Sequence, residues 1–562
     1  MKDFSKSIKQ PAGHSWDTGG SGSLETATSR FPQLRRTQPF AMAFPTTQNN
    51  FIWHEATPGV WQRDADEAEV LYSSLIKLYE GSGRMQFAMT GHLSLTVDVP
   101  GDATPGSFAP LVTQSLRVAW LRLRDEMPTI ASRVNWDATT QKWVKVYKTA
   151  PSEAAQASWL QSTFKTVLTG QTGVEWANSD PPAPRVPTLF VVIPPQTSSS
   201  IVRRDLVFRS PHDIIDGIGT LLLLNRLAAL LSSTLTHTST TPLSLLSGEE
   251  TCRLSPPYRV AANVPPTPTL AQVSKLNALR AEKVQVPSDP SIHRLTLPFT
   301  HGALLPSRHQ RVALTLSATQ TADLLAALKP LHATPTHAFH AAIAMTMRDT
   351  YLAATTPPTN TPPPTHLRYI SYLLRNERPA CQPPFNTAAH AAAVYHSVSG
   401  GQLAVTLPAS PAPNPLAAAA EFTDALVQIR EHYHAVRDDA DHYALAPLLW
   451  ADAAPSRAVL DTGEVPLPNA TPSVSISSMG LIDRLVEREW EEGGVRVYEP
   501  WVTGEELGNG LGVFLGTFRG RLEVSAAFNE AWHEREEVEG FLGRVVAVVV
   551  GGLGLGGDQW VG

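Results

Sequence analysis

The stretch Ser210-Pro-His-Asp-Ile-Ile-Asp-Gly-Ile-Gly-Thr-Leu-Leu-Leu-Leu224 decides how the chain is read. Within it, His212, Asp216 and Gly217 form a His-x-x-x-Asp-Gly pattern. Histidine is the one side chain whose unperturbed pKa lies near neutrality, which suits it to take a proton from a hydroxyl. Asp216 is spaced to fix the loop through a buried ion pair. Gly217 permits a backbone geometry, or a close approach, that a Cβ would block. Upstream, Ile201 to Phe208 alternates like a strand; downstream, Ile218 to Leu231 is strongly apolar, lacks proline and reads as a buried helix. A strand-to-helix turn mounts a catalytic group on a rigid scaffold. A plainer arrangement fits the same residues: a histidine in a turn, with Asp216 capping the helix.

The pattern on either side is one of alternating helices and strands. Asp64 to Tyr79 carries Ala65, Ala68, Leu71, Leu75 and Leu78 at helical spacing. Gln86 to Val97 alternates as a strand, and Leu111 to Met127 is an amphipathic helix stopped by Pro128. Trp143–Tyr147 and Thr188–Ile193 read as strands. After residue 300 the alternation resumes. Strands are expected at Gln310–Leu316, Leu367–Leu374, Ser473–Ser477, Gly512–Leu515 and Arg521–Phe528. Helices are expected at Thr319–Leu328, Thr336–Tyr351, Pro415–Val436 and Glu536–Val550, and Thr355 to Thr365 is a proline-rich loop. The reading is an α/β chain, with two α+β layers in each of two similar lobes. It divides into a disordered segment (1–48), an N-terminal lobe with the histidine motif (49–233), a Thr/Ser/Pro-rich crossover linker (234–300) and a C-terminal lobe (301–562).

Bulk properties narrow the function. At 562 residues the chain is too long for a single small core. A net charge of −6 without a basic run argues against nucleic acid. Cys252 and Cys381 are too few for a disulfide framework or a cysteine zinc site, so no metal is expected. The first residues lack a signal peptide's apolar core, and the late apolar run Phe541 to Val550 is too short to cross a bilayer. The expectation is a cytoplasmic monomer with no membrane partner. There is no Gly-x-Ser-x-Gly elbow to suggest a hydrolase. His54, His92, His337 and His340 read as structural histidines, and Gly508 to Gly512 as a loop.

The motif and its setting resemble the chloramphenicol-acetyltransferase-like superfamily, which includes plant BAHD acyltransferases, alcohol acetyltransferases and peptide-synthetase condensation domains. Four other segments carry the resemblance. Tyr369 to Pro379, with Asn376 and Arg378, is similar to that family's Asn-x-Arg-Pro strand end. Val474 to Gly480, with Ser478-Met-Gly480, resembles the strand and Ser-x-Gly turn that face the histidine. Phe518 to Trp532 is similar to the terminal strand of fungal members. Trp53…Gly59-x-Trp61-x-Arg63…Glu69 is similar to the opening of trichothecene 15-O-acetyltransferase-like proteins. Two departures separate the chain from its other relatives. Pro211 stands where condensation domains usually carry a second histidine, and the Asp-Phe-Gly-Trp-Gly string of BAHD enzymes is missing.

The resemblance implies two lobes with an active site in a channel between them, the acyl donor and a small-molecule alcohol entering from opposite faces. It implies O-acyl transfer from acyl-CoA, with acetyl-CoA as co-substrate, no tightly bound cofactor, and a secondary metabolite such as a sesquiterpenoid as acceptor. His212 would be the general base, without an acyl-enzyme. Ser477 or Ser478, with Gly480, would meet the oxyanion or substrate, although both serines also fit as turn residues. Asp216 would be structural and paired with an arginine: Arg378 beside Asn376, or Arg203, Arg204 or Arg209. Asn376 and Arg378 also fit a solvated strand end. The competing function is a non-catalytic, or carrier-protein-dependent, condensation-type domain.

Overall fold

The structure, a computed structural model, describes residues 48–236, 248–284, 291–354, 364–556 and 560. The expectations for residues 1–47 and for most of the proline-rich loop lie outside the described residues. The described residues form one compact unit.

Two apolar cores organise it. The first is built on a six-stranded sheet in the order Glu489–Trp490, Val495–Gly504, Met89–Asp98, Ile201–Ser210, Thr188–Val192, Phe164–Val167. Helices Pro105–Glu126 and Gly217–Thr236 contribute Leu116, Trp120, Leu123, Leu221, Leu224 and Leu227 to this core, all fully buried. By length and composition Gly217–Thr236 could cross a bilayer. Here its leucines pack against the sheet and the neighbouring helix, which explains why it is apolar over so much of its circumference. The second core lies on the sheet His309–Thr315, Arg521–Asn529, Leu511–Phe518, Val474–Leu481, with helices Pro335–Ala354, Pro415–Arg437 and Arg535–Gly552. A small antiparallel sheet (His54–Thr57, Val60–Asp64, Lys142–Lys148, Ser132–Asp137) lies beyond the first core.

The sequence patterns miss several features, each for a physical reason. The first helix spans Glu67–Leu78 rather than starting at Asp64, because Asp64 ends a strand and Asp66 caps the helix in a box with Glu69. The expected strand Leu367–Leu374 breaks in two. His366–Ser371 pairs with Leu403–Pro408, and Leu374–Asn376 pairs with His396–Val398. Strand Val495–Gly504 was hidden by Pro500; a bulge between Tyr498 and Trp501 absorbs it. Helix His442–Ala453 was hidden by Pro447. Within 234–300, a helix spans Leu270–Val284, and Tyr258 and Ala261 are buried beside Tyr395.

Candidate active site

The strand Ile201–Ser210 delivers the chain to the turn Pro211–Asp216, which is held from three sides. From beneath, Ile214 and Ile215 are buried. From the small sheet, the Lys145 ammonium donates to the Asp213 carbonyl at 2.8 Å. From helix Glu67–Leu78, the Ser73 hydroxyl donates to the Asp213 carboxylate at 2.7 Å. Lys145 is itself fixed by Glu69, which also takes two 2.7 Å bonds from Arg63. Burial alone would raise the Glu69 pKa, but the two cations outweigh it and hold the carboxyl down at about 2. The resulting Arg63–Glu69–Lys145 cluster is buried.

One residue before Ser73, the same helix presents Tyr72. Its ring stacks on His212 with centroids 3.8 Å apart and planes 7° from parallel. The Tyr72 hydroxyl is 2.8 Å from Nε2 of His396, whose ring centroid is 5.4 Å from that of His212. Trp450 donates to the His396 carbonyl at 3.1 Å. His212 is therefore clamped by aromatic groups on separate elements. Its Nδ1 is buried without a hydrogen-bond partner. Burial, followed by the nearby His396, lowers its pKa to about 3, against the opposing pull of Asp216 and of the backbone at His212 and Ile215. The ring is thus neutral across the ordinary pH range.

Asp216 faces away from that ring. One oxygen accepts from the Gly219 N–H at 2.7 Å; the other accepts from Arg378 at 2.9 Å and from the Tyr395 N–H at 2.8 Å. His396 Nδ1 lies 3.8 Å away. Burial opposes ionisation, but Arg378, joined by His396, holds the Asp216 carboxyl well below the usual carboxylate range. The other arginines are engaged elsewhere. Arg203 pairs with Asp205, Arg204 bonds Thr113 and the Ala109 carbonyl, and Arg209 pairs with Glu505. Arg378 is buried rather than solvated, and its N–H is held by the side chain of Asn376 at 3.2 Å. Of the two nearby glycines, Gly217 has ordinary space around it, whereas a Cβ on Gly219 would lie 2.1 Å from the Ala391 carbonyl oxygen and 2.8 Å from Arg378. The close approach expected of Gly217 belongs to Gly219.

His212 lines a cavity of about 790 Å³, within the size range of small-molecule sites. Tyr72, Phe87, Met89, His212 and Gly217 come from the first half of the chain, and Tyr372, Ser475, Ser477, Ser478 and Glu506 from the second. Along a regular strand, Ser477 and Ser478 would point to opposite faces. Both nevertheless line the cavity, and the strand's register shifts immediately after them, between Ser478 and Gly480. Gly480, at φ +65°, makes that bulge possible but stands off the wall. Ser478 Oγ accepts from the Thr336 hydroxyl at 2.9 Å. A second cavity, of about 330 Å³, shares Met479, Val502 and Phe514 with the first as lining residues.

Other histidines have other work. His92 bonds the Glu499 carbonyl, and His340 bonds Tyr369 and Tyr433. Sequence reasoning missed Tyr72, His396, Trp450, Thr336 and Glu506. Tyr72 was within reach, since it adjoins Leu71 on the helix's apolar face. The others carry no local signal.

No family model matches the sequence. Two proteins of Monascus ruber are similar along most of their length. O-acetyltransferase pigM is 26% identical over 496 residues, covering 86% of this chain and 83% of pigM. Acetyltransferase pigO is 25% identical over 520 residues, covering 90% and 99%. Among solved structures, the TRI3 trichothecene 15-O-acetyltransferase of Fusarium sporotrichioides superposes with a TM-score of 0.71 at 17% identity, covering 90% of this chain and 99% of that one. An X-domain from teicoplanin biosynthesis superposes at 0.53 with 14% identity, covering 88% and 96%. The chain thus shares its fold with the trichothecene 15-O-acetyltransferase, and its sequence is similar along most of its length to two fungal acetyltransferases.

Proposed function

We propose that the chain is an acyl-CoA-dependent O-acyltransferase that moves an acetyl group from acetyl-CoA to a hydroxyl of a fungal secondary metabolite. The observation that carries this reading is His212: a neutral imidazole, clamped in one orientation, on the wall of a cavity of about 790 Å³. The O-acetyltransferase relatives support acetyl transfer as the reaction class.

In this reading His212 removes the acceptor's proton as the hydroxyl oxygen bonds to the thioester carbonyl carbon. The tetrahedral oxyanion collapses, the C–S bond breaks, and the departing thiolate takes the proton from the imidazolium. The products are an ester and free CoA, with no acyl-enzyme. Because the ring holds a proton weakly, returning it to the thiolate is easy. Asp216 takes no proton, since Arg378 and two backbone N–H groups already occupy its carboxylate.

Ser478 is the proposed oxyanion donor. Its oxygen accepts from Thr336, which leaves its own proton free for the cavity. Ser478→Ala is expected to lower kcat about 10²-fold with little change in the KM for acetyl-CoA, measured by thiol release. Tyr72 should act as a positioning residue. Tyr72→Phe keeps the stack but loses the bond to His396, and should lower kcat about fivefold. Tyr72→Ala also loses the stack and should cost roughly another fivefold, again in kcat rather than KM.

The reading is tested by mixing the protein with acetyl-CoA and a panel of hydroxylated polyketide and terpenoid alcohols, then identifying acetyl esters by mass spectrometry. Ester formation without an acetylated protein intermediate is the expected result. If no ester forms and a carrier-protein thioester is bound instead, the acetyl-CoA reading is wrong and a condensation-type role takes its place.

A further inference from the structure

We propose that Glu506 recognises the acceptor by taking a hydrogen bond from a second hydroxyl, one that is not acetylated. This rests on the acetyl-transfer reading and adds a substrate class to it: a neutral diol or polyol.

The neighbouring residues Glu505 and Glu506 are treated oppositely by the fold. Glu505 is buried and takes Arg209 at 2.6 Å and Arg84 at 3.4 Å. Glu506 is half-buried and lines the main cavity. Its Oε1 accepts from the Gly508 N–H at 2.8 Å. The Gln86 amide, whose own oxygen accepts from the Leu507 N–H at 3.0 Å, approaches the same carboxyl. No cation pairs with it among the described residues. A carboxylate offers about four acceptor positions, so these contacts leave capacity facing the cavity.

Such a group is costly to keep. Burial without a cation pushes its pKa up to about 7, and an apolar side chain there would avoid the desolvation cost. An unpaired carboxyl on a cavity wall is the signature of a group reserved for a ligand. The ligand should donate a hydrogen bond. It should also be uncharged where it meets Glu506, because the carboxyl would repel an anion and Arg294 and Arg375 on the same cavity wall disfavour a cation. Ser475 and Ser477 add further polar contacts for an oxygen-rich acceptor.

The test uses the full chain, a decalin diol and the decalin mono-alcohol lacking its second hydroxyl. Binding is read without acetyl-CoA through tryptophan fluorescence, since Trp450 lines the cavity. The wild type should bind the diol about tenfold more tightly than the mono-alcohol. Glu506→Gln should lose most of that preference while leaving mono-alcohol binding and the thermal midpoint unchanged. Glu506→Met should lose it too, with a midpoint at or above the wild type's. The proposal is overturned if the wild type does not discriminate, including by binding neither probe, if Glu506→Gln keeps the preference, or if an amino-alcohol analogue binds better than the diol. If the diol is preferred through Glu506 but no acetyl moves from acetyl-CoA, the carboxyl's role stands and the catalytic reading fails.

Discussion

His212→Ala is expected to lower kcat/KM for acetyl transfer by about 10³-fold, or about 4 kcal/mol of transition-state stabilisation. Alanine cannot accept a proton, and a water in the vacated space is a much weaker base than imidazole. Circular dichroism should be unchanged, because the turn is held through Asp213, Ile214, Ile215 and Asp216 rather than through the imidazole. The wild type carries a second signature. An ordinary histidine base loses activity below about pH 6.5 as it protonates. Burial and the neighbouring His396 lower the His212 pKa to about 3, so the reactive neutral form persists to lower pH. The initial-rate kcat/KM should stay level between pH 7 and 5. A decline centred near 6.5 would mean that the ring is solvated.

Arg378→Met is expected to destabilise the protein by about 3–5 kcal/mol, because it strands the Asp216 carboxylate in a buried site. The Gly219 and Tyr395 N–H groups remain but bring no full positive charge. Asp216→Asn in the same background should recover part of the loss, since a neutral amide needs no counter-ion, although its NH2 must then face one of the two backbone N–H groups. The pH dependence follows in sign. Arg378 holds the folded Asp216 pKa below its ordinary value of 3.8. The pair's contribution is therefore present above that value and lost as pH falls through the lowered one. In Arg378→Met the carboxyl pKa rises, so the deficit should be largest at pH 7 and smaller at pH 4.5. Urea unfolding at the two pH values measures this, and an equal deficit at both would show that Asp216 does not depend on Arg378.

Local patterns carried a good part of this far. The motif turn, its strand and its apolar helix were legible because each has a short-range signature: alternation, absence of proline, and a capping carboxylate. Arg378 could be named but not chosen over Arg203, Arg204 or Arg209, because pairing with a carboxylate 162 residues away leaves no trace in spacing. His396 lies in a three-residue strand too short for alternation to reveal. Its bond to Tyr72 spans 324 positions. Pro500 and Pro447 hid a strand and a helix because tertiary packing paid for defects that local rules count as stops. Gly219, not Gly217, lacks room for a side chain because the obstruction is the Ala391 carbonyl, supplied by the other half of the chain.

Strand Val495–Gly504 lies beside Met89–Asp98, about four hundred residues earlier in the chain. Severing the polypeptide between the halves would strip Met89–Asp98 of this neighbour and bare its main-chain amides along a sticky border. Fragments made that way should clump rather than fold, and the His212 turn is not expected to survive on its own half. The same stitch also makes wide hinge opening costly, so whatever reaches the cavity beside His212 has to fit it largely as it stands.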